Sequence, residues 1–454
     1  MASTRTKTVK RGRRLRSIVL GVDRRVLVLA LARMVDALAN SFLIVVLPLY
    51  LGADGPVDVT PLSGDRLPLV GLVVTPELLI GVVLSLFGFV NSLSQPFTGR
   101  LSDRTGRRRV YILVGLLILA VSSAGYAVAT DYWTVLAVRG VQGLGGALVI
   151  PATVALVSEL ATTESRGGNF GVFNTFRLVG FGFGPLVAGA VVAAGPYDLA
   201  PVGGGTLSGF DAAFGVAVVG ALVSFTLVSG FVGDPEQLTA GAADDLVFRM
   251  RDPDGGLDPV FALGVATVLM ALGLALFATL GNVVNERLGQ GEFLFGLQFA
   301  ATVIANIVFQ VPIGRVSDHY GRRPFIVAGF VVIVPSTLAQ GLIGGAPGTL
   351  DSWLMVLARF VQGFGVALVF APSLALAGDL AGEGESGSTL SLLTVGFGLG
   401  TAIGPLLSGL LVGFGFVVPF AVAAALGVVG LALVYTQVEE TLAVANPAPT
   451  TTED

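Results

Sequence analysis

Gly99-Arg-Leu-Ser-Asp103-Arg-Thr-Gly106-Arg107-Arg108 returns later in the chain as Gly314-Arg-Val-Ser-Asp318-His-Tyr-Gly321-Arg322-Arg323. Arg139-Gly-Val-Gln142-Gly143 returns as Arg359-Phe-Val-Gln362-Gly363, and Gly184-Pro185-Leu186 as Gly404-Pro405-Leu406. The three landmarks recur in one order, each about 215 to 220 residues on, which marks one unit copied once. Both copies sit in apolar sequence. The expected fold is therefore an all-α integral membrane protein, with twelve transmembrane helices arranged as two pseudo-symmetric six-helix bundles.

Composition supports lipid as the solvent. Of 454 residues, 54% are hydrophobic and 12% charged, with a mean hydropathy of +0.85. A soluble domain carries about 25% charged residues. There is no cysteine, which excludes disulfides and thiolate metal sites, and the single histidine, His319, excludes a multi-histidine centre. No metal and no cofactor are expected. The 63 glycines suit close helix approach in a bilayer and show no collagen period. Only Lys7 and Lys10 are lysine among 26 basic residues, a bias seen in proteins from high-salt or GC-rich sources.

A span needs roughly 20 apolar residues. Twelve candidates meet this: 26–51, 75–98, 109–129, 132–157, 169–194, 210–232, 259–285, 292–313, 324–345, 352–377, 388–413 and 416–436. The implied organisation is a basic tail (1–25), an N-terminal bundle (26–232), an acidic linker (233–258), a C-terminal bundle (259–437) and a tail (438–454) whose end reads as disordered. Twenty basic residues fall in the N-terminal tail and the even-numbered turns, against Arg66 and Arg287 on the other side. Both termini are thus expected in the cytoplasm of a cell with this protein in its plasma membrane. The first apolar stretch is too long for a signal peptide.

The repeated Gly-x-x-x-Asp-x-x-Gly-Arg-Arg, placed between spans two and three and again between eight and nine, resembles the signature of the major facilitator superfamily. The resemblance covers essentially Arg24–Glu440. It implies a major facilitator fold, a small-molecule substrate, a coupling ion and a monomer. It also implies that Gly99, Asp103, Gly106, Arg107 and Arg108, with Gly314, Asp318, Gly321, Arg322 and Arg323, latch the halves on the cytoplasmic side when the carrier faces outward. An ordinary topology-setting turn is the simpler reading of the same residues. Gly180-Phe-Gly-Phe-Gly184-Pro185-Leu-Val-Ala-Gly189 resembles the glycine-proline motif of proton-coupled drug antiporters, although Ala190 stands where a second glycine is usual. Gly396, Gly398, Gly400, Gly404, Pro405 and Gly409 form a second version, so part of that signal is fold symmetry. The first span, with Asp36 and then Leu47-Pro48-Leu-Tyr50, resembles that of tetracycline-type and multidrug efflux proteins.

Charge at membrane depth is costly and marks function by default. Asp36 lies about ten residues into the first span, roughly 15 Å deep. Arg33, Asp36 and Asn40 share a helical face by spacing, a face expected on the central cavity. Asp36 is the candidate proton-coupling group, with a purely structural Arg33–Asp36 pair as the alternative. Arg139 would assist proton transfer by resemblance, but with Arg359 as its mirror copy a packing or cavity-charge role explains both equally. Gln142 and Gln362 follow one turn later. Arg177, with Asn174, is a candidate anion or carboxylate site without an obvious counterpart in span eleven. Arg33, Asn40, Asn174, Arg177, Arg359, Gln142 and Gln362 form the expected substrate cavity. Asn91 with Gln95 and Asn306 with Gln310 read as interhelical hydrogen-bonding pairs, Asn282, Asn285 and Glu286 as the outer end of span seven, and His319 as solvated.

No Gly-x-x-x-x-Gly-Lys-Ser/Thr loop exists, so ATP is not the direct energy source, and nothing suggests nucleic acid or an enzyme. The function expected is a secondary active transporter working by alternating access, coupling protons to efflux of a small lipophilic or drug-like compound. An importer or facilitator, Na⁺-coupled or uncoupled, is the alternative. A fold-retaining sensor is disfavoured by the two intact motifs.

Overall fold

The computed structural model describes residues 18–19, 22–52, 55–65, 73–160, 166–198, 204–234, 250–251, 256–344, 349–380 and 386–441. Most of the basic tail, Arg66, most of the linker and the C-terminal tail from 442 lie outside the described residues. Among the described residues, twelve helices are long and apolar enough to cross a membrane. They are α1 (Arg24–Tyr50), α2 (Pro76–Thr105), α3 (Arg108–Tyr126), α4 (Tyr132–Leu160), α5 (Arg166–Ala194), α6 (Gly209–Phe231), α7 (Pro259–Leu288), α8 (Glu292–Tyr320), α9 (Arg323–Leu342), α10 (Thr349–Leu380), α11 (Ser386–Val412) and α12 (Val417–Gln437). α7 passes through a 3₁₀ segment, Leu276–Leu280, before its last eight residues.

Local chemistry sets the ends. Thr75 Oγ1 accepts from the Leu78 amide, Pro76 occupies the first turn, and Gly106 at φ +66° stops α2. Ser208 caps α6 and Asp258 caps α7 in the same way. Asp131 accepts from the Thr134 amide and hydroxyl ahead of α4, and those bonds hold its carboxyl below the usual carboxylate range. α2 and α8 run on through the repeated motif, about seven residues past the expected ends of spans two and eight.

Each half packs internally, α1 on α5 and α6, α3 on α4, and correspondingly α7 on α11 and α12, α9 on α10. Two helix pairs, α2 with α11 and α5 with α8, join the halves. At these seams backbone touches backbone. A Cβ on Gly81 would meet the Pro405 carbonyl at 2.5 Å, and one on Gly189 would meet Glu292 O at 2.6 Å.

The cores show where the halves are joined. One apolar cluster runs through both, taking in Phe42, Tyr50, Tyr126 and Phe214 from the first half and Phe277, Leu280, Phe295 and Phe420 from the second. All these residues lie toward the face opposite the start of α1 and the end of α12, called here the far face. Val57 and Val59 of the α1–α2 loop are buried in the same cluster. Asn282 Nδ2 donates across the halves to Pro48 O at 2.9 Å. Toward the tail face the clusters are separate, Val26 to Val232 in one half and Ala262 to Val438 in the other. The two bundles are sealed at the far face and hold separate cores at the tail face.

Candidate transport site

α1 carries the charged strip. Arg33 Nη1 donates to Asp36 Oδ2, and their side chains are 12% and 5% exposed. Two charges this enclosed support each other, since stripping one partner from a buried ion pair costs about 3–5 kcal/mol. The pair lines a cavity of about 10 Å³ walled by Ile112 and Leu116 of α3, Val149 and Thr153 of α4 and Val228 of α6. That volume holds one water at most, so it is no substrate chamber. Asp36 thus faces the interior of the N-terminal bundle, where spacing alone puts it on the central cavity. Asn40, one turn on, is half-buried and bonds to no described residue.

Arg177 stands on α5 beside α1, whose Met34 carbonyl lies against Gly180 three residues further on. Its Nε and Nη2 both donate to Asn174 Oδ1, at 3.1 and 2.9 Å. Its Nη1 finds no partner among the described residues. Arg33 is near enough for the two cations to repel. Asp36, the nearby carboxylate on α1, is taken by Arg33.

Arg139 and Arg359 belong elsewhere. Arg139 is buried, donates to Gln142 at 2.7 Å and lies 4.5 Å over the Phe87 ring; Gln142 in turn bonds Tyr126 and Ser123. Arg359 repeats this, with Gln362 at 2.6 Å, Phe277 at 4.4 Å and Thr337 on Gln362. Cation–π contact and carboxamide bonds take the place of a carboxylate, which neither arginine has among the described residues. Val149 and Thr153, the α4 walls of the Asp36 cavity, follow Arg139 by ten and fourteen residues, about 15–20 Å along the helix. Arg139 and Asp36 are therefore not one cluster. Gln298, which bridges Gln290 and Ser352 O next to Arg359, had no sequence signal beyond its depth.

The repeated motif builds two ion clusters. Arg108 pairs with Asp103 and, at 2.8 Å, with Glu159; Arg322 pairs with Asp318 at 3.3 Å and with Asp379. Hydrogen bonds to Asp379 help hold the Arg322 guanidinium charged, raising its proton affinity. Glu159 and Asp379 were missed from sequence. The signal was there, since each follows its span's arginine, Arg139 or Arg359, by the same interval. Arg107 is exposed. Arg109 and Arg323 have amides that bond Asp234 and Glu440, each at 2.8 Å. Every one of these bonds stays within its own half. His319 is exposed, with Nδ1 against Arg315 O.

The glycine-proline motif is a packing device in both halves. A Cβ on Gly180 or Gly184 would overlap α1 backbone, at Met34 and Leu38, and one on Gly400 or Gly404 would overlap α7 at Val268 and Leu272. Gln95 bonds Asn91 within α2 rather than across helices. Asn306 Oδ1 is buried without a described partner.

Twelve spanning helices in two related bundles, joined by α2–α11 and α5–α8, define a two-domain membrane transporter rather than an enzyme. The sequence matches the Major Facilitator Superfamily over residues 29–245 and 263–451, and the chain belongs to that family. It is 24% identical over 366 residues to Multidrug resistance protein 2 of Bacillus subtilis (strain 168), covering 78% of this chain and 85% of that protein. It is 22% identical to the Quinolone resistance protein NorA of Staphylococcus aureus (strain MSSA476), covering 78% and 86%. Among solved structures it is similar to a bacterial homolog of the human lysosomal transporter Spinster in an inward-facing, occupied conformation (TM-score 0.69, 15% identity, 90% and 95% covered). It is also similar to the inward-open xylose transporter XylE of E. coli (0.67, 15%, 92% and 96%) and to the human organic anion transporter MFSD10 (0.63, 20%, 90% and 99%). Among the described residues no acidic or histidine cluster could hold a metal.

Proposed function

We propose that this transporter exports a small lipophilic organic compound in exchange for protons, with Asp36 as the proton-binding group. The protein would lie in the plasma membrane with both tails cytoplasmic, as the excess of basic residues at the tail face supports. The shape then corresponds to a carrier open to the cytoplasm, its far face sealed, and the two ion clusters at the motif are free of the opposite half. Relatives named for multidrug and quinolone resistance favour export over uptake.

One observation carries the assignment of Asp36. Met34 and Leu38 against Gly180 are matched in the second half by Val268 and Leu272 against Gly400. Counted from these contacts, Arg33 and Asp36 correspond to Thr267 and Met270, both buried and uncharged. Fold symmetry does not require an ion pair here, and a structural need common to both halves would have left a trace in each. Protonating Asp36 releases Arg33, and that change of charge inside the N-terminal bundle is a signal that substrate occupancy can oppose.

The test is compound-dependent collapse of the pH gradient in energised everted vesicles, comparing wild type with Asp36→Asn at equal expression. Collapse lost in the variant supports the assignment. Collapse that survives moves coupling to another group, and none with any compound removes the exchange reading.

A further inference from the structure

Spans one and seven are copies, yet they differ in shape. α1 is regular from Arg24 to Tyr50. α7 is regular only to Ala275, tightens into 3₁₀ geometry over Leu276–Leu280, and resumes as Gly281–Leu288. In the register set by the glycine contacts, Leu276–Leu280 stand where α1 has Phe42–Val46. Leu274–Leu280 contains neither glycine nor proline, and Gly273 and Gly281 on either side are themselves helical. Nothing in the stretch opposes the α-helix, so the change of form comes from side chains that reach it from outside.

Two side chains of α10 do so. Gln362 Nε2 donates to Gly273 O at 3.3 Å and Arg359 Nη1 to Leu274 O at 3.5 Å. These are among the last carbonyls of the regular stretch, which the tightening leaves short of α-helical partners. They also carry the negative end of that stretch's dipole, where a cation is favoured. Arg359 is fully buried and is steadied by Gln298 O of α8 at 3.4 Å. Phe277, the second residue of the 3₁₀ segment, lies 4.4 Å from its guanidinium. The first half differs on each point. The described bonds of Arg139 and Gln142 go to one another and to α3, the ring at Arg139 is Phe87 of α2, and α1 is unbroken. The break occurs in the copy whose arginine and glutamine grip the helix.

The segment beyond the break carries the far-face seal. Thr279 Oγ1 donates to Pro405 O at 2.9 Å, and Asn282 bonds Pro48 O across the halves. Leu280, Val284 and Leu288 are buried in the cluster that both halves share. A 3₁₀ helix turns about 120° and rises about 2.0 Å per residue, an α-helix about 100° and about 1.5 Å. Over the 5 residues of the segment, conversion to α-helix would rotate Gly281–Leu288 by about 100° and draw it back by about 2.5 Å. Asn282 would leave Pro48, and the apolar side chains would turn out of the seal.

We propose that Arg359 and Gln362 are positioning residues that hold span seven in its 3₁₀ form, and that Leu276–Leu280 turns α-helical when the far face opens. The α-helical form takes back the Gly273 and Leu274 carbonyls, and Arg359 is then hydrated by the water that opening admits. This rests on the alternating-access reading and adds the element whose change of form moves the seal.

The experiment is double electron–electron resonance on purified protein in nanodiscs, with spin labels on introduced cysteines. Glu286→Cys, on the exposed end of α7, is paired within its half with Trp353→Cys or Phe414→Cys, and across the far face with Val128→Cys of the first half; all four sites are exposed. Wild type should be dominated by one distance for each pair. Arg359→Met or Gln362→Met should raise a second distance, displaced by ~5 Å or more, in at least one within-half pair. A turn of about 100° carries a residue about 8 Å around a helix of about 5–6 Å radius. The distance to Val128→Cys should lengthen in the same samples, and Arg139→Met should leave the within-half distances alone. Monodisperse elution shows that each variant is folded, and if Arg359→Met is not, the near-isosteric Gln362→Met carries the test. Within-half distances unchanged in the folded variants overturn the proposal, as does an equal second distance in Arg139→Met. A within-half change without lengthening to Val128→Cys, or lengthening without a within-half change, overturns it too. The measurement needs neither substrate nor proton gradient, so its outcome is separate from that of the vesicle test.

Discussion

Arg108 and Arg322 perform the same task one residue out of register. Motif alignment pairs Arg107 with Arg322, yet it is Arg108 that takes Asp103 and Glu159 as Arg322 takes Asp318 and Asp379. The glycines differ: Gly106 adopts φ +66° and ψ 6°, Gly321 φ +96° and ψ 148°. The two turns are equally long, since α3 and α9 each begin two residues after the glycine, but they leave their helices in different directions. Arg108→Ala should therefore lower the melting temperature far more than Arg107→Ala. It strands Glu159, 16% exposed, at a cost of about 3 kcal/mol, whereas Arg107 is a surface change within about 0.5 kcal/mol. Equal shifts for both in a detergent thermal-unfolding assay would restore the alignment's pairing.

The fold was legible because a helix in lipid must be apolar over its whole crossing, and twelve such runs stand out. Helix ends were less so. α2 and α8 continue through Gly99–Thr105 and Gly314–Tyr320, where side chains are polar because they have left the bilayer, and hydropathy stops before the helix does. The residues of the site were legible as charges at depth. Their grouping was not, because α1 and α4 run in opposite directions and only packing tells which heights coincide. Arg33 claims Asp36, and Arg139 sits toward the far face with Gln142 and Phe87.

That separation gives a double-mutant cycle. Asp36→Asn and Arg33→Gln remove two ends of one contact, so their effects on stability should be non-additive by about 0.5–3 kcal/mol. Asp36→Asn and Arg139→Gln act about 15 Å apart and should add to within about 0.5 kcal/mol. Both cycles are read by thermal unfolding in the same detergent. Strong coupling between positions 36 and 139 would return Arg139 to the proton site.

Glycine tolerance should follow contact rather than motif membership. Gly180→Ala places a methyl on the Met34 carbonyl, where backbone has no room to yield, and should strongly reduce the yield of folded protein. Gly171, exposed on the same helix with open space around its Cα, should accept alanine with a gain of about 0.5–1 kcal/mol. Gly400→Ala should match Gly180→Ala, since it meets Val268 O in the same way. If Gly180→Ala folds normally but loses proton coupling, the motif has a role beyond packing.

The chain has no cysteine, so a cysteine pair reports on the far-face seal without background. A Cβ on Gly52 would lie 3.5 Å from Asn282 Cγ, the place a cysteine Sγ would take, so the two side chains are within reach of each other. The same Asn282 donates to Pro48 O, so the pair sits where α7 meets the end of α1. In a carrier that alternates, this contact must break for the far face to open. Oxidising Gly52→Cys/Asn282→Cys should abolish substrate movement in vesicles, and reductant should restore it, while substrate binding from the tail face persists in both states. Each single variant should stay active under oxidant. Undiminished transport by the cross-linked protein would mean that the seal beside Pro48 does not open during the cycle, and would exclude the rocking of two rigid bundles as its basis.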